Sequence, residues 1–119
     1  DSEVFNAYNQ IDIVVNPRKS TYLTNSVTPL KTLEAMAYKK LVLASDVAGM
    51  KELIKDNING ILFKSGSLAE LENSINQILN RADLRDIVEN AYNFIVTKRN
   101  WYKTAELYNN LYFDLKNGK

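Results

Sequence analysis

Two kinds of hydrophobic pattern alternate along this chain: short β-branched runs and longer stretches in which apolar residues recur at helical spacing. Ile11, Ile13, Val14 and Val15 make one run that stops at Asn16-Pro17, and residues 41–44 make a second that stops at Ser45-Asp46. Both read as strands buried on two faces. Residues 60–63 give a third short candidate, and a helical segment precedes or follows each run, which is the βαβ signature of a parallel sheet. The pattern therefore predicts an α/β fold with about three parallel strands and flanking helices.

The helical stretches carry their own start signals. Ser67-Leu68-Ala69-Glu70 has capping-box spacing and opens a helix with Leu68, Leu71, Ile75, Ile78 and Leu79 at threes and fours, ending near Asn80. A second helix is expected after Asp83, with Leu84, Ile87, Val88, Ala91, Phe94 and Ile95 on one stripe. A long C-terminal helix follows over about residues 101–115, where Trp101, Ala105, Tyr108, Tyr112 and Leu115 form an aromatic stripe broader than a small core covers. Part of that stripe is expected to be exposed. Residues 18–26 read as a polar loop. Just beyond it, Thr28 suits an N-cap and Pro29 the first helical position, with Leu30, Leu33 and Ala37 as the expected inward stripe.

Charge makes that last helix start the chemically interesting one. Lys31 falls in its first turn, where the macrodipole is positive and backbone amides lack intrahelical partners, so a bare cation there is unfavourable until an anion arrives. Amides at a helix N-terminus with a lysine beside them form a phosphate site, and Glu34 at the same mouth can accept from sugar hydroxyls. The competing arrangement is a solvated Lys31 paired with Glu34. In an open parallel sheet, ligands bind beyond the carboxyl ends of the strands, where the 16–28 and 45–49 segments lie. Gly49 there permits close approach of a backbone or a positive φ, or is an ordinary turn glycine. Asp46 either joins the site or caps the next turn.

Composition narrows the class. At 119 residues and 45% hydrophobic the chain has room for one core. Fifteen basic against fourteen acidic residues leave a net charge of +1 without a basic block, so nucleic acid is not an expected partner. The absence of Cys and His removes thiol nucleophiles, disulfides, histidine bases and the usual zinc ligand sets, and no cofactor or metal is expected. The apolar runs are too short to span a bilayer and residues 1–3 carry no signal-peptide pattern, which makes the cytoplasm the default location.

Taken in order, Glu34-Ala35-Met36-Ala37, then Lys40-Leu41-Val42-Leu43-Ala44-Ser45-Asp46-Val47-Ala48-Gly49, then Glu52-Leu53-Ile54, Asn59-Gly60-Ile61-Leu62-Phe63 and Asn100-Trp101 strongly resemble the retaining "group 1" glycosyltransferases. Members of that family are two-domain enzymes of the GT-B type. Their C-terminal domain holds the nucleotide-sugar donor and their N-terminal domain the acceptor. The resemblance implies a partial Rossmann-like domain over residues 1–119, the latter part of such a C-terminal domain. It also implies donor-binding roles for Ser26, Thr28, Pro29, Leu30, Lys31, Glu34 and Gly49. Glu34 matches the second of the family's paired glutamates, the one that contacts ribose, while Ser26 stands where the first, sugar-contacting glutamate is expected. Leu30 and Lys31 would supply amides to the diphosphate, and Gly49 corresponds to the retained half of a double glycine.

The expected partners are then a nucleotide-diphosphate sugar and, through an N-terminal domain, a glycan or lipid-linked acceptor. The full-length enzyme would build surface polysaccharide or other glycan, in the cytoplasm or at the inner face of a membrane, and the Asn-, Lys- and Ile-rich composition points to an AT-rich bacterial source. By itself this chain is expected to be an inactive fragment. The alternative is a non-catalytic interaction or regulatory module that keeps the fold. A phosphorelay receiver fits the length, but the first strand ends in Asn16 instead of a phosphorylatable Asp. The 11–16 strand is apolar on both faces and carries neither proline nor lysine, so it is expected to be a bare sheet edge that pairs with a second copy into a homo-oligomer.

Overall fold

In the computed structural model, which describes residues 2–118, three strands pair in parallel in the order β1 (Ile13–Asn16), β2 (Leu41–Ser45), β3 (Ile61–Phe63). Asp1 and Lys119, the ends of the expected 1–119 domain, lie outside the described residues. Val14 lies opposite Val42 and Leu43 opposite Ile61. The central strand is buried at all five positions, four of them its apolar run at 41–44 and the fifth Ser45, whose hydroxyl accepts from the Arg18 amide. The outer strand β1 is not. It begins at Ile13, leaves Ile11 outside and exposes Val15 by 42%, because only one of its edges is paired among the described residues.

Among the described residues seven helices surround this sheet: α1 (Ser2–Asn9), α2 (Tyr22–Ser26), α3 (Leu30–Ala37), α4 (Ala48–Lys51), α5 (Leu68–Leu79), α6 (Leu84–Lys98) and α7 (Trp101–Lys116). Strand alternation divides the core in two. Val42 and Ala44 face Ala35 and Met36 of α3, Met50 of α4 and Ala91 of α6. Leu41 and Leu43, with Ile61 and Phe63 of β3, face Ile78 of α5 and Ile87 of α6. Each large side chain buried in this way contributes about 1.5–3 kcal/mol. Helix α6 thus serves both faces, and its expected stripe is the one that packs.

Local signals place the other helices. Ser67 Oγ accepts from the Glu70 amide at the start of α5. The reciprocal half of the expected box is redirected: the Glu70 carboxylate accepts from the Lys64 amide at 2.8 Å and so closes the turn before the helix. Only Ile78 of the α5 stripe is fully buried, while Leu68 and Leu79 are exposed. Asn100 caps α7 by accepting from the Lys103 amide, and Tyr108, Tyr112 and Leu115 stand 58%, 67% and 62% exposed, as the breadth of that stripe predicts.

Four expectations at the carboxyl ends of β1 and β2 are corrected. The 18–26 loop contains α2, opened by a capping box in which Thr21 and Thr24 each accept the other's amide through a hydroxyl. Residues 48–51 form the short helix α4 instead of loop. Helix α3 starts at Leu30 with Pro29 as N-cap, so Thr28 does not cap it. The α3 stripe is also rotated from the expected one: Thr32, Ala35 and Met36 are buried, whereas Leu30 and Ala37 face outward. Thr32 can be buried because its hydroxyl accepts from Asn16 Nδ2 at 3.1 Å and donates to Met50 Sδ at 3.4 Å. Satisfied in this way, a threonine occupies a core position that hydrophobicity alone assigns to leucine.

Candidate functional site

The bond from Asn16, the last residue of β1, to Thr32 fixes the first turn of α3 at the carboxyl end of the sheet. Pro29 offers that helix end no side-chain cap, and among the described residues no side chain accepts from the Leu30 or Lys31 amide, which leaves both to solvent or a ligand. With the inner face taken by Thr32, Ala35 and Met36, the side chains of Leu30, Lys31 and Glu34 share the exposed face, at separations of three and four residues. Leu30 is 76% exposed, a large apolar side chain beside a cation and two available amides. Glu34 does not pair with Lys31 but accepts from the Tyr8 hydroxyl of α1 at 3.4 Å. Tyr8 in turn stacks on Tyr38 with ring centroids 4.5 Å apart. Partial burial first, and the Glu34 charge second, push the Tyr8 hydroxyl above its ordinary pKa, so it stays a donor to that carboxylate.

The remaining expected site residues are placed differently. Thr28 donates its hydroxyl to Glu52 Oε2 at 2.8 Å, and Pro29 is buried beneath the helix start. Ser26 turns back on its own helix, donating to the Tyr22 carbonyl at 2.7 Å. Gly49 is buried without a positive φ, and what approaches it is the chain's own backbone: a Cβ there would lie 2.2 Å from the Val27 carbonyl oxygen. Asp46 binds the Ser65 amide at 2.7 Å, so it ties the end of β2 to the turn after β3. Ser45 Oγ accepts from the Arg18 amide at 2.7 Å and holds the chain as it leaves β1.

Asn25, Glu52 and Arg99 were not legible as neighbours of this site. Asn25 Oδ1 accepts from the Ala48 amide at 2.9 Å and caps α4 from another helix, a role without any sequence signal. Glu52 accepts from Arg99 at 2.9 Å across 47 residues. Adjacent signals existed for both, the Glu52-Leu53-Ile54 segment and the Asn100 cap, but no local rule joins them.

A family model described as "glycosyl transferases group 1" matches residues 1–94. The chain belongs to that family. An uncharacterised glycosyltransferase of Methanocaldococcus jannaschii is 37% identical over 86 residues, which are 71% of this chain and 22% of that protein. A lipopolysaccharide 1,2-N-acetylglucosaminetransferase of Salmonella typhimurium is 30% identical over 105 residues, 87% of this chain and 26% of that protein. The chain therefore spans about a quarter of the length of these curated relatives.

Among solved structures, the C-terminal domain of a glycosyl transferase group 1 family protein from Francisella tularensis aligns with TM-score 0.68 at 30% identity, over 85% of this chain and 50% of that one. The Anabaena protein HepE, solved with UDP and glucose, shares the fold with TM-score 0.74 at 24% identity, over 88% of this chain and 28% of that one. The three-stranded parallel sheet and its helices are thus part of a GT-B, Rossmann-like domain.

Proposed function

We propose that this chain is the nucleotide-binding latter part of the C-terminal domain of a glycosyltransferase that moves a hexosyl group from a nucleotide-diphosphate sugar to a glycan or lipid-linked acceptor. The observation that carries the reading is the outward face of α3, where an uncapped helix start, Lys31 and Glu34 stand together at the carboxyl end of a parallel sheet. In this reading the Leu30 and Lys31 amides and the Lys31 ammonium meet the diphosphate, and Glu34, oriented by Tyr8, accepts from the ribose hydroxyls. Thr28, Pro29 and Gly49 shape the approach to that turn, and Ser26 lies beside it. A structure of the same fold that holds UDP and glucose supports the donor class, and the lipopolysaccharide transferase among the relatives supports a surface-glycan acceptor.

Retaining transfer also needs the leaving diphosphate neutralised and an acceptor hydroxyl held in line, tasks that the reading assigns to an N-terminal domain and to further residues of the same enzyme. The 119-residue chain by itself then binds donor without turning it over. The same reading places the enzyme in the cytoplasm or at the inner membrane face, and lets isolated copies associate through β1. Among the described residues no helix is long and apolar enough to cross a membrane. One observation favours the alternative, a non-catalytic interaction module: Ser26 stands where a sugar-contacting glutamate is expected and spends its hydroxyl within α2.

Titration of UDP and GDP into isotopically labelled chain tests the reading. Amides of residues 28–34 and 46–50 should shift, with an affinity no better than about millimolar, roughly −4 kcal/mol. Shifts confined to other surfaces overturn it.

A further inference from the structure

The segment that leads into α3 is seated on α4 through three successive contacts. Asn25 Oδ1 accepts from the Ala48 amide at 2.9 Å. Gly49 then has no room for a Cβ against the carbonyl oxygens of Val27 and Thr24, at 2.2 and 2.9 Å from where one would stand. Finally Thr28 donates to Glu52 Oε2 at 2.8 Å. The first two contacts fix residues 25–27 by backbone packing and a helix cap. Only the third reaches the residue immediately before the Pro29 N-cap.

Glu52 has a second hold. Its other oxygen accepts from Arg99 at 2.9 Å, and Arg99 lies at the corner where α6 ends and α7 begins. A carboxylate on an exposed helix end is ordinarily free to change rotamer. Here both oxygens are engaged, by partners 24 and 47 residues away, so the side chain has one place to be. The Thr28 hydroxyl first, and the Arg99 guanidinium second, hold its carboxyl below the ordinary value, as expected for a carboxylate that accepts a hydrogen bond on each oxygen.

We propose that Glu52 is a positioning residue of the donor site: clamped by Arg99, it holds Thr28 and thereby sets how the Leu30 and Lys31 amides are presented. Glu52 itself touches no donor atom in this arrangement. The inference rests on the nucleotide reading of α3. It adds that donor affinity depends on a residue of α4's end and, through Arg99, on the corner that carries α7.

The test uses the 119-residue chain, UDP as probe, and the variants Glu52→Ala, Glu52→Gln, Thr28→Val and the double variant Glu52→Ala/Thr28→Val. Glu52→Ala and Thr28→Val should each raise the UDP dissociation constant about three- to tenfold, and the double variant should be no worse than either single one. Glu52→Gln keeps an acceptor for Thr28 and should recover most of the loss. In the free protein, Glu52→Ala should displace the Leu30 and Lys31 amide resonances while the melting temperature stays within a few degrees. Independent, multiplying losses in the double variant overturn the proposal, as do an unchanged dissociation constant and unmoved resonances in Glu52→Ala. If the unsubstituted chain binds no UDP, the nucleotide reading falls, and the free-protein resonances alone decide whether Glu52 sets the helix start. If Glu52→Ala does not fold, Glu52→Gln and Arg99→Ala provide the same comparison, and unmoved Leu30 and Lys31 resonances in both overturn the proposal.

Discussion

Gly49 of α4 and Val27 of the α2–α3 connection are packed so closely that a Cβ on the glycine would sit 2.2 Å from the Val27 carbonyl oxygen. Backbone cannot yield as a flexible side chain does, so Gly49→Ala has to displace either α4 or the chain leading to α3. We expect a loss of about 3 kcal/mol in chemical denaturation, the upper part of the range for overpacking a tight site. Wild-type stability in that variant would mean that the connection adjusts at no cost.

Glu34→Ala should behave in the opposite way. Its carboxylate is exposed on α3 and, among the described residues, is held only by the long hydrogen bond from Tyr8, so stability should change by no more than about 0.5 kcal/mol. UDP affinity should fall at least about tenfold with the loss of charge-assisted ribose contacts. In a longer enzyme of the proposed kind that contains this chain, activity per folded molecule should fall with it. A variant that melts several degrees lower yet keeps its affinity would make Glu34 structural.

Asn59 is a buried polar residue whose loss should be felt only as stability. Its Oδ1 accepts from the Lys55 amide at 2.7 Å and its Nδ2 donates to the Leu53 carbonyl at 3.0 Å, closing the turn between α4 and β3. Asn59→Ala leaves both backbone groups without these partners, for a cost of about 1–3 kcal/mol by thermal or chemical melting, with UDP affinity per folded molecule unchanged. At the neighbouring Gly60 a Cβ would stand 3.0 Å from the Ile54 side chain, which would have to shift by a few tenths of an ångström.

If α3 binds nucleotide as proposed, a pH dependence of that binding follows from Glu52. Its carboxyl is held low in the folded state, so its contribution to stability is complete above the ordinary glutamate range of about 4.3 and is lost as pH falls through the lowered folded value. On acidification the Thr28 bond should weaken in that window. The Leu30 and Lys31 amide resonances should titrate with it, and Glu52→Gln should abolish that step.

The free edge of β1 predicts association. Val15 is 42% exposed on a strand that pairs with β2 alone among the described residues. We expect the 119-residue chain to sediment as a dimer or higher oligomer at micromolar concentration, and Val15→Lys to shift it toward monomer by placing a charge on the edge. A monomer whose 13–16 amides exchange slowly would show the edge covered within one chain.

The sequence by itself determined the elements that rest on repetition or on a local signal. Residues 41–44 of β2 follow from an unbroken apolar run, α5 from Ser67 and its spaced leucines and isoleucines, α6 from a stripe that packs residue for residue, and the family from an ordered set of motifs. These depend on neighbours within one or two turns, which a linear pattern records. Tertiary structure decided the rest. Which face of α3 points inward depended on Asn16 and Met50 satisfying Thr32, and that choice put Leu30 at the mouth of the site instead of in the core. The roles of Gly49, Glu52 and Arg99 depended on contacts 22, 24 and 47 residues apart in the chain. A helix cap from Asn25 and a carbonyl resting on a glycine come into being only when α2 and α4 meet, and no periodicity along the chain encodes that meeting.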